Sequence, residues 1–391
     1  MKQNKTGFYA LTQMMYWVIY CVISAFASYY LLDMGASNAS VGVVLAVGSL
    51  ISSVLQPLIG ALTDRFAWAQ PGRIIAVFAL GEVLCSAGLL LIAGRSAAAV
   101  CVLYCAALTL MQTMQPAINT LSMKCLNAGY RLYFGPARAA GSFGYAAVSF
   151  ALGRAVEHTG AGIIPMAAIA GTVLLALTML FFPKFPCEGT LLPADGKRRK
   201  TGFLRKYPAF TVLLAGLVLV YYDHVLVNYF ALQVMQSKGG GSAEMGTAVA
   251  VAAVAEIVML LLFPVVRKRM KMTTMLRLSA VFFTIKAAGS LLVRGVMGYY
   301  LVQLLQMPAW GIICVALVYY VNEVIPPEDS AKGQAYAAAV YTVATIIGSL
   351  LGGRLIDSCG VTVMLITGLV TSVVGTGVVF IGTREKSRDR Q

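Results

Sequence analysis

The chain has 391 residues, of which 59% are hydrophobic and only 12% are charged, and its mean hydropathy is +0.80. Soluble globular domains carry about 25% charged residues, so this composition argues against a water-soluble enzyme. The net charge of +15 does not indicate a nucleic-acid binder, because the basic residues lie in short clusters between long apolar runs rather than in one stripe. The pattern is typical of a polytopic membrane protein, which leaves transporters, channels and membrane enzymes.

Twelve apolar runs are long enough to cross a bilayer as helices, since about 20 residues span the hydrocarbon. In chain order, spans 1 to 12 cover residues 8–32, 41–62, 74–94, 97–121, 132–156, 160–182, 208–235, 243–265, 274–293, 297–322, 333–354 and 361–382. The breaks between them carry glycine, proline or charged residues, which favour turns. We therefore predict an all-α integral membrane protein with twelve transmembrane helices.

The eight cysteines show neither CxxC spacing nor a Cys/His pattern typical of zinc sites. The chain also lacks the GxxxxGK[ST] signature of ATP-driven pumps. The first apolar run is too long for the core of a cleavable signal peptide. We therefore expect no metal, no cofactor and no catalytic residues.

The distribution of basic residues predicts the orientation of the spans, because cytoplasmic loops of membrane proteins are enriched in Lys and Arg. With the N-terminus inside, 23 of the 30 Lys and Arg residues fall on the cytoplasmic side, five fall outside and two fall within spans. We expect a multi-pass protein of a prokaryotic cytoplasmic membrane, with both termini in the cytoplasm.

The longest polar segment, residues 183–207, divides the spans into two sets of six and contains the basic run 197–200. We interpret it as a cytoplasmic linker. The predicted units are an N-terminal six-helix bundle at 1–182, the linker at 183–207, and a C-terminal six-helix bundle with a short tail at 208–391.

Two sequence repeats indicate that the halves are related. GRAVEHTG at residues 153–160, at the end of span 5, recurs as GRLIDSCG at 353–360, at the end of span 11. RIIAVF at 73–78, which opens span 3, recurs as RLSAVF at 277–282, which opens span 9. Two pseudo-symmetric six-helix bundles with a site between them are the architecture of many secondary transporters.

The sequence GALTDR at residues 60–65, with Arg73 following, resembles the signature of the loop between spans 2 and 3 in the major facilitator superfamily. In that family the acidic and basic residues hold the halves together on the cytoplasmic side, and the glycine permits close helix contact. The resemblance implies four gating residues: Gly60, Asp64, Arg65 and Arg73.

Within that superfamily the chain resembles the lactose-permease branch of oligosaccharide:proton symporters and their phenylpropionate-transporter-like relatives. The resemblance is carried by QPL at residues 56–58, FGPARAAGSFGY at 134–145, Glu256 in span 8 and TIKAAGS at 284–290 in span 9. It covers nearly every span, although its motifs are short.

The resemblance implies three substrate-binding positions. Arg138 matches the arginine that grips substrate hydroxyls in the sugar transporters, and Tyr145 falls where a tryptophan stacks on the sugar ring. Asn119 falls where those transporters carry a substrate-binding glutamate.

The chain departs from the same relatives at their proton site. Gln303, Gln306 and Ala309 in span 10 fall where lactose permease carries a lysine, a histidine and the proton-carrying glutamate. Leu226 falls where the aspartate partner of that lysine stands. Any coupled proton must therefore use another carboxyl group.

Ionisable residues inside a membrane face the protein interior and need partners. Besides Arg138, five such residues lie away from the ends of the spans and are candidates: Glu82, Asp223, His224, Glu256 and Lys286. We predict that Glu256 pairs with Lys286 and carries the coupled proton, and Glu82 and Asp223 are the alternative carriers. The alternative is a permanent structural bridge between spans 8 and 9.

Span 7 carries a polar and aromatic segment that includes Asp223, His224 and Asn228, which we expect to contact substrate. The alternatives are a satisfied buried histidine or helix packing. In span 1, Tyr16 and Tyr20 share one helical face at mid-depth. Packing against neighbouring spans accounts for these two residues, and stacking on a ring-shaped substrate remains an alternative.

We expect a secondary transporter that carries a small sugar or glycoside with a proton by alternating access. Its partners are a small-molecule solute, the coupling proton and the lipid bilayer, with no nucleic acid, and the chain acts as a monomer. The alternatives are transport of an aromatic acid, a nucleoside or a drug-like solute, facilitated diffusion without a proton, or a receptor or scaffold that does not transport.

Overall fold

The computed structural model describes residues 4–66, 69–182 and 202–384, and these residues form a helical bundle. Spans 1 to 6 are built from Thr6–Tyr20 with Cys21–Ala25 and Ala27–Asp33, Asn38–Arg65, Pro71–Ile92, Ala97–Asn127, Phe134–Thr159, and Ile163–Thr178 with Met179–Phe181. Spans 7 to 12 are built from Pro208–Tyr229 with Ala231–Ser237, Ser242–Arg267, Met272–Leu292, Val296–Gln303 with Leu304–Gln306 and Trp310–Val324, Pro327–Cys359, and Val361–Gly382.

Eleven of these spans are long and apolar enough to cross a membrane. The remaining one, Phe134–Thr159, carries Arg138, Arg154 and Glu157 and packs among the others, against spans 1 and 8. The prediction of an all-helical, twelve-span fold is confirmed, and the short break after span 3 separates two helices as expected.

Glycines end the two repeated motifs. Gly160 follows span 5 with φ of +78°, and Gly360 follows span 11 with φ of +84°. A side chain rarely tolerates this backbone region, so both turns require glycine. The repeat detected in the sequence therefore marks the same turn in each half.

The same motifs bring the halves into backbone contact at the distal end, which we define as the end of the bundle opposite the N-terminus. A Cβ atom built on Gly153 would lie 2.6 Å from the carbonyl oxygen of Ser242 in span 8, and one on Gly353 would collide with the carbonyl oxygen of Asn38 in span 2. Span 5 can approach span 8 this closely, and span 2 can approach span 11, only because the glycines at these crossings have no side chains.

Hydrogen bonds join the halves at the same end. Asp357 of span 11 accepts hydrogen bonds from the Asn38 side chain (2.7 Å), from its backbone N–H (3.3 Å) and from the Ala39 backbone N–H (2.7 Å). It thereby caps the N-terminus of span 2, where backbone N–H groups lack partners within their own helix. Between spans 5 and 8, the Ser149 hydroxyl donates a 2.9 Å hydrogen bond to the backbone carbonyl of Gly246. The distal end is therefore closed, and we call these backbone contacts and hydrogen bonds the distal seal.

Three spans are interrupted. Span 1 passes through a π-helical turn and breaks at Phe26, and span 7 breaks at Phe230, the equivalent place in the second half. Span 10 is interrupted between Gln306 and Trp310, where Pro308 cannot supply a backbone hydrogen bond. The hydrophobic pattern predicts the length of these spans but does not reveal the breaks.

The end of the predicted linker docks on the second half. Phe203, in the short helix Phe203–Lys206, stacks on Tyr336 of span 11 at 5.0 Å. Lys206 donates a 2.6 Å hydrogen bond to the Asp329 carboxylate, which raises the pKa of Lys206 above its usual value. Residues 183–201 lie outside the described part of the chain, so the predicted unit boundaries stay a prediction.

We predict that Gly353→Val prevents closure of the distal end, because the added side chain would collide with the backbone of span 2. Spin labels attached near the ends of spans 2 and 11 should report longer distances in electron–electron double resonance. Gly377→Val is the matched control, since a Cβ atom at Gly377 has no neighbour within 4 Å. Unchanged distances in Gly353→Val would contradict the assignment of this crossing as the seal.

Candidate functional site

A cavity of about 490 Å³ lies between the halves and is lined by residues from both. The polar and aromatic lining residues of the first half are Trp17, Tyr20, Ser24, Gln115, Arg138, Ser142 and Tyr145. Those of the second half include Tyr221, His224, Asn228, Glu256, Gln306 and Trp310. Most small-molecule sites are cavities of 300–1,000 Å³ with an apolar and aromatic wall and a few polar groups, and this cavity fits that description.

An ion pair crosses the cavity from one half to the other. Arg138 Nη2 of span 5 lies 4.0 Å from Glu256 Oε1 of span 8. The guanidinium also lies 4.1 Å from the ring centre of Trp17 and donates a 2.9 Å hydrogen bond to Ser142. Arg138 therefore has the partners that a charge inside a membrane requires.

Glycines of span 5 place the tryptophan under this arginine. A Cβ atom on Gly141 would collide with the Trp17 ring, and one on Gly144 would lie 2.6 Å from the Met14 side chain. Because these two glycines have no side chains, span 1 can approach span 5 closely. The glycines of the motif at 134–145 thus explain the geometry of Arg138.

The predicted Glu256–Lys286 pair is not formed in this structure. The charged partner of Glu256 is Arg138, and the Lys286 ammonium instead donates a 2.5 Å hydrogen bond to Gln306 Oε1. Asp223 is close enough to Lys286 for an electrostatic attraction, although no ion pair within 4.0 Å joins the two side chains. The sequence locates the charges by depth along each span, but it does not tell which helix faces which.

The second half contributes an aromatic wall. The His224 ring is stacked parallel on Trp310 at 4.7 Å, and Tyr221 and Tyr341 contact the same indole at 5.6 and 5.3 Å. Asn228 donates to the carbonyl of His224 at 2.6 Å and lies 3.1 Å from its Nδ1 atom. His224 and Asn228 thus line the cavity as a connected pair.

Tyr145 lines the cavity, as the resemblance implies, and contacts Trp17 edge-on. Tyr20 also lines it, whereas Tyr16 is buried behind it. Asn119 does not lie in the cavity wall: it is exposed one helical turn beyond Gln115, which does. The expected contact of Asn119 with a substrate is therefore not present in this conformation.

Two predicted acids lie away from the cavity. Asp223 is 2% exposed and faces span 12, where a Cβ atom on Gly368 would collide with its Oδ1 atom. It is therefore not the cavity contact that the sequence suggested, since the adjacent His224 takes that face of the helix. Glu82 is fully buried within the first half and accepts a 2.5 Å hydrogen bond from Ser86.

The gating residues lie at the end opposite the seal. A Cβ atom built on Gly60 would meet no described atom within 4 Å, so in this conformation the space around Gly60 does not itself require a glycine. Arg73 is exposed in the first turn of Pro71–Ile92. The side chains of Asp64 and Arg65 lie outside the described part of the structure.

Sequence reasoning missed several lining residues, notably Trp17, Trp310, Gln115 and Tyr341. One signal was available, because the chain has only three tryptophans and two of them line the cavity. Among the described residues, no cluster of three or more His, Cys, Asp or Glu side chains could hold a metal ion.

The family model described as "MFS_1 like family" matches residues 9–371. The fold is similar to a crystal structure of the nucleoside transporter NupG, with a TM-score of 0.78, 15% identity and coverage of 96% of this chain and 97% of that one. It is also similar to an auto-inhibited POT family peptide transporter, with a TM-score of 0.75, 12% identity and coverage of 98% and 97%. No curated protein matches the chain significantly.

We predict that Arg138→Lys weakens solute binding about ten-fold, because an ammonium keeps the charge but loses ring stacking and the fork geometry of a guanidinium. Binding to purified protein measures the effect. Arg154→Lys is the matched control: Arg154 lies in the same helix and 3.6 Å from the Phe150 ring, but outside the cavity wall. Equal losses in both variants would contradict a specific role for Arg138.

Proposed function

Because the chain belongs to the MFS_1-like family of membrane transporters, we propose that it carries a small sugar or glycoside together with a proton by alternating access. The observation that carries this proposal is the Arg138–Glu256 ion pair, which joins the two halves inside the central cavity. A solute or proton that engages either member changes the force between the halves. Binding and conformational change are thereby linked at one contact.

The closed distal end supports alternating access as the mode of transport. With the termini in the cytoplasm of a prokaryotic cell, as the Lys/Arg distribution favours, the sealed end faces outward and this conformation exchanges solute with the cytoplasm. Transport then requires opening at the Gly153 and Gly353 crossings and closure at the opposite end. We propose that a single chain suffices, because the cavity is formed within one chain.

The cavity wall suits a ring that carries hydroxyl groups. Trp17 and Tyr145 offer aromatic faces in the first half, on which a sugar ring can pack. Arg138, Asn228 and Gln306 supply hydrogen-bonding groups around the same space. A glycoside satisfies both kinds of surface.

Glu256 is the carboxyl group best placed to carry the proton. It lines the cavity and has Arg138 as its partner, whereas Glu82 and Asp223 lie outside the cavity wall. Protonation of Glu256 removes its attraction for Arg138 and frees the guanidinium for solute hydroxyls. Release of the proton restores the ion pair and favours release of the solute.

We predict that Glu256→Gln abolishes accumulation driven by a pH gradient in proteoliposomes while substrate exchange continues, because exchange needs no release of a proton. Glu82→Gln is the control, since Glu82 is buried within one half and does not line the cavity. Accumulation by Glu256→Gln at the wild-type level would refute the assignment of the carrier. Loss in Glu82→Gln alone would assign coupling to that residue.

A nucleoside, which is also a glycoside, is the second candidate. The stacked His224–Trp310 pair favours it, because a planar base can extend such a stack. The similar structure of NupG is described as a nucleoside transporter.

We predict that an aryl galactoside or uridine raises the melting temperature of the protein more than methyl β-galactoside does, since bound ligand stabilises the folded state. Trp310→Leu should remove this difference. If methyl β-galactoside stabilises the protein as strongly as the aryl compound, the aromatic wall does not select the solute. Absence of stabilisation by all three would refute both proposed solute classes.

A further inference from the structure

The Lys286 ammonium lies in the interior of the second half, and the whole residue is only 3% exposed. The ammonium donates a 2.5 Å hydrogen bond to Gln306 Oε1. An ammonium can only donate hydrogen bonds, so it must bind the oxygen and not the nitrogen of an amide. Lys286 therefore fixes the orientation of the Gln306 side chain.

Gln306 lies at the edge of the cavity, in the last turn before the interruption of span 10. Because Lys286 binds the amide oxygen of Gln306, only the –NH2 group of that amide is left to bind a solute. No residue in the described part of the chain accepts a hydrogen bond from it within hydrogen-bonding geometry. Rotation of the amide would place two N–H donors against an ammonium, which is unfavourable.

The neighbouring Asn228 is oriented in the opposite sense. Its Nδ2 atom donates to the backbone carbonyl of His224 at 2.6 Å and lies 3.1 Å from the His224 Nδ1 atom. A backbone carbonyl accepts only, so the nitrogen must face His224 and the oxygen is left for the cavity. The cavity therefore presents a fixed donor at Gln306 and a fixed acceptor at Asn228.

We propose that Lys286 is a positioning residue for solute recognition, which holds the Gln306 amide so that its N–H groups donate to an acceptor oxygen or nitrogen of the solute. Asp223, on the face of span 7 that is turned away from the cavity, is close enough to Lys286 for an electrostatic attraction, but the two side chains form no ion pair within 4.0 Å. The inference rests on transport of a polar solute, as proposed above, but not on proton coupling or on the identity of its carrier.

Four variants test the proposal with methyl β-galactoside, an aryl galactoside, uridine and phenylacetate as probes, in binding measurements on the purified full chain. The probe that binds the wild type most tightly is then used for all variants. Gln306→Leu should weaken its binding about ten-fold through loss of the donor. Lys286→Met should weaken binding to a similar degree, and the double variant should bind no worse than either single one, because both changes remove the same interaction.

Lys286→Arg is the rescue variant, since a guanidinium also donates to the Gln306 oxygen and should restore binding to within about three-fold of the wild type. If Lys286→Met does not fold because Asp223 is left unpaired, the Asp223→Asn/Lys286→Met pair restores the charge balance and takes its place. Additive losses in the double variant, or normal binding by Gln306→Leu, would overturn the positioning role while leaving transport intact. A wild type that binds none of the probes would instead overturn the proposed solute classes, and this assignment with them.

Discussion

Water is absent from the core of a membrane, so every charge placed there must find its partner within the protein. This constraint organises the centre of the molecule. Arg138 satisfies it with Glu256 of the other half, with Ser142 and with the face of Trp17. Lys286 satisfies it with Gln306 within the second half. The first arrangement holds the halves together across the cavity, and the second orients a group at the cavity edge.

Glycines determine how these groups meet. Gly141 and Gly144 let span 1 approach span 5, which brings Trp17 beneath Arg138. Gly153 and Gly353 let the halves meet at the distal end, which leaves the cavity enclosed on that side. The small residues thus set the spacing, and the charges and aromatic rings then provide the chemistry within it. Without these close approaches, neither the stacking on Trp17 nor the distal seal could form.

The sequence predicts those features that depend on composition along one helix. Hydrophobic length gives the twelve spans, and the repeat of GRAVEHTG and GRLIDSCG marks corresponding turns of the two halves. The sequence does not predict which face of a helix contacts which neighbouring helix. Asp223 and His224 are adjacent in the chain, yet only His224 reaches the cavity, and Glu256 pairs with span 5 instead of span 9. These outcomes depend on helix rotation and packing, which charge and hydropathy leave undetermined.

The distal seal consists of backbone contacts and hydrogen bonds, and the ion pairs found among the described residues lie elsewhere, in the cavity and near the linker. Salt screens attraction between exposed charges but leaves steric fit and short hydrogen bonds largely unaffected. In the proposed transport cycle, the balance between the two orientations therefore depends at this end on packing and hydrogen bonds, and we expect it to vary little with ionic strength. Temperature and lateral pressure of the bilayer, which act on packing volume, are the physical variables to which that balance should respond.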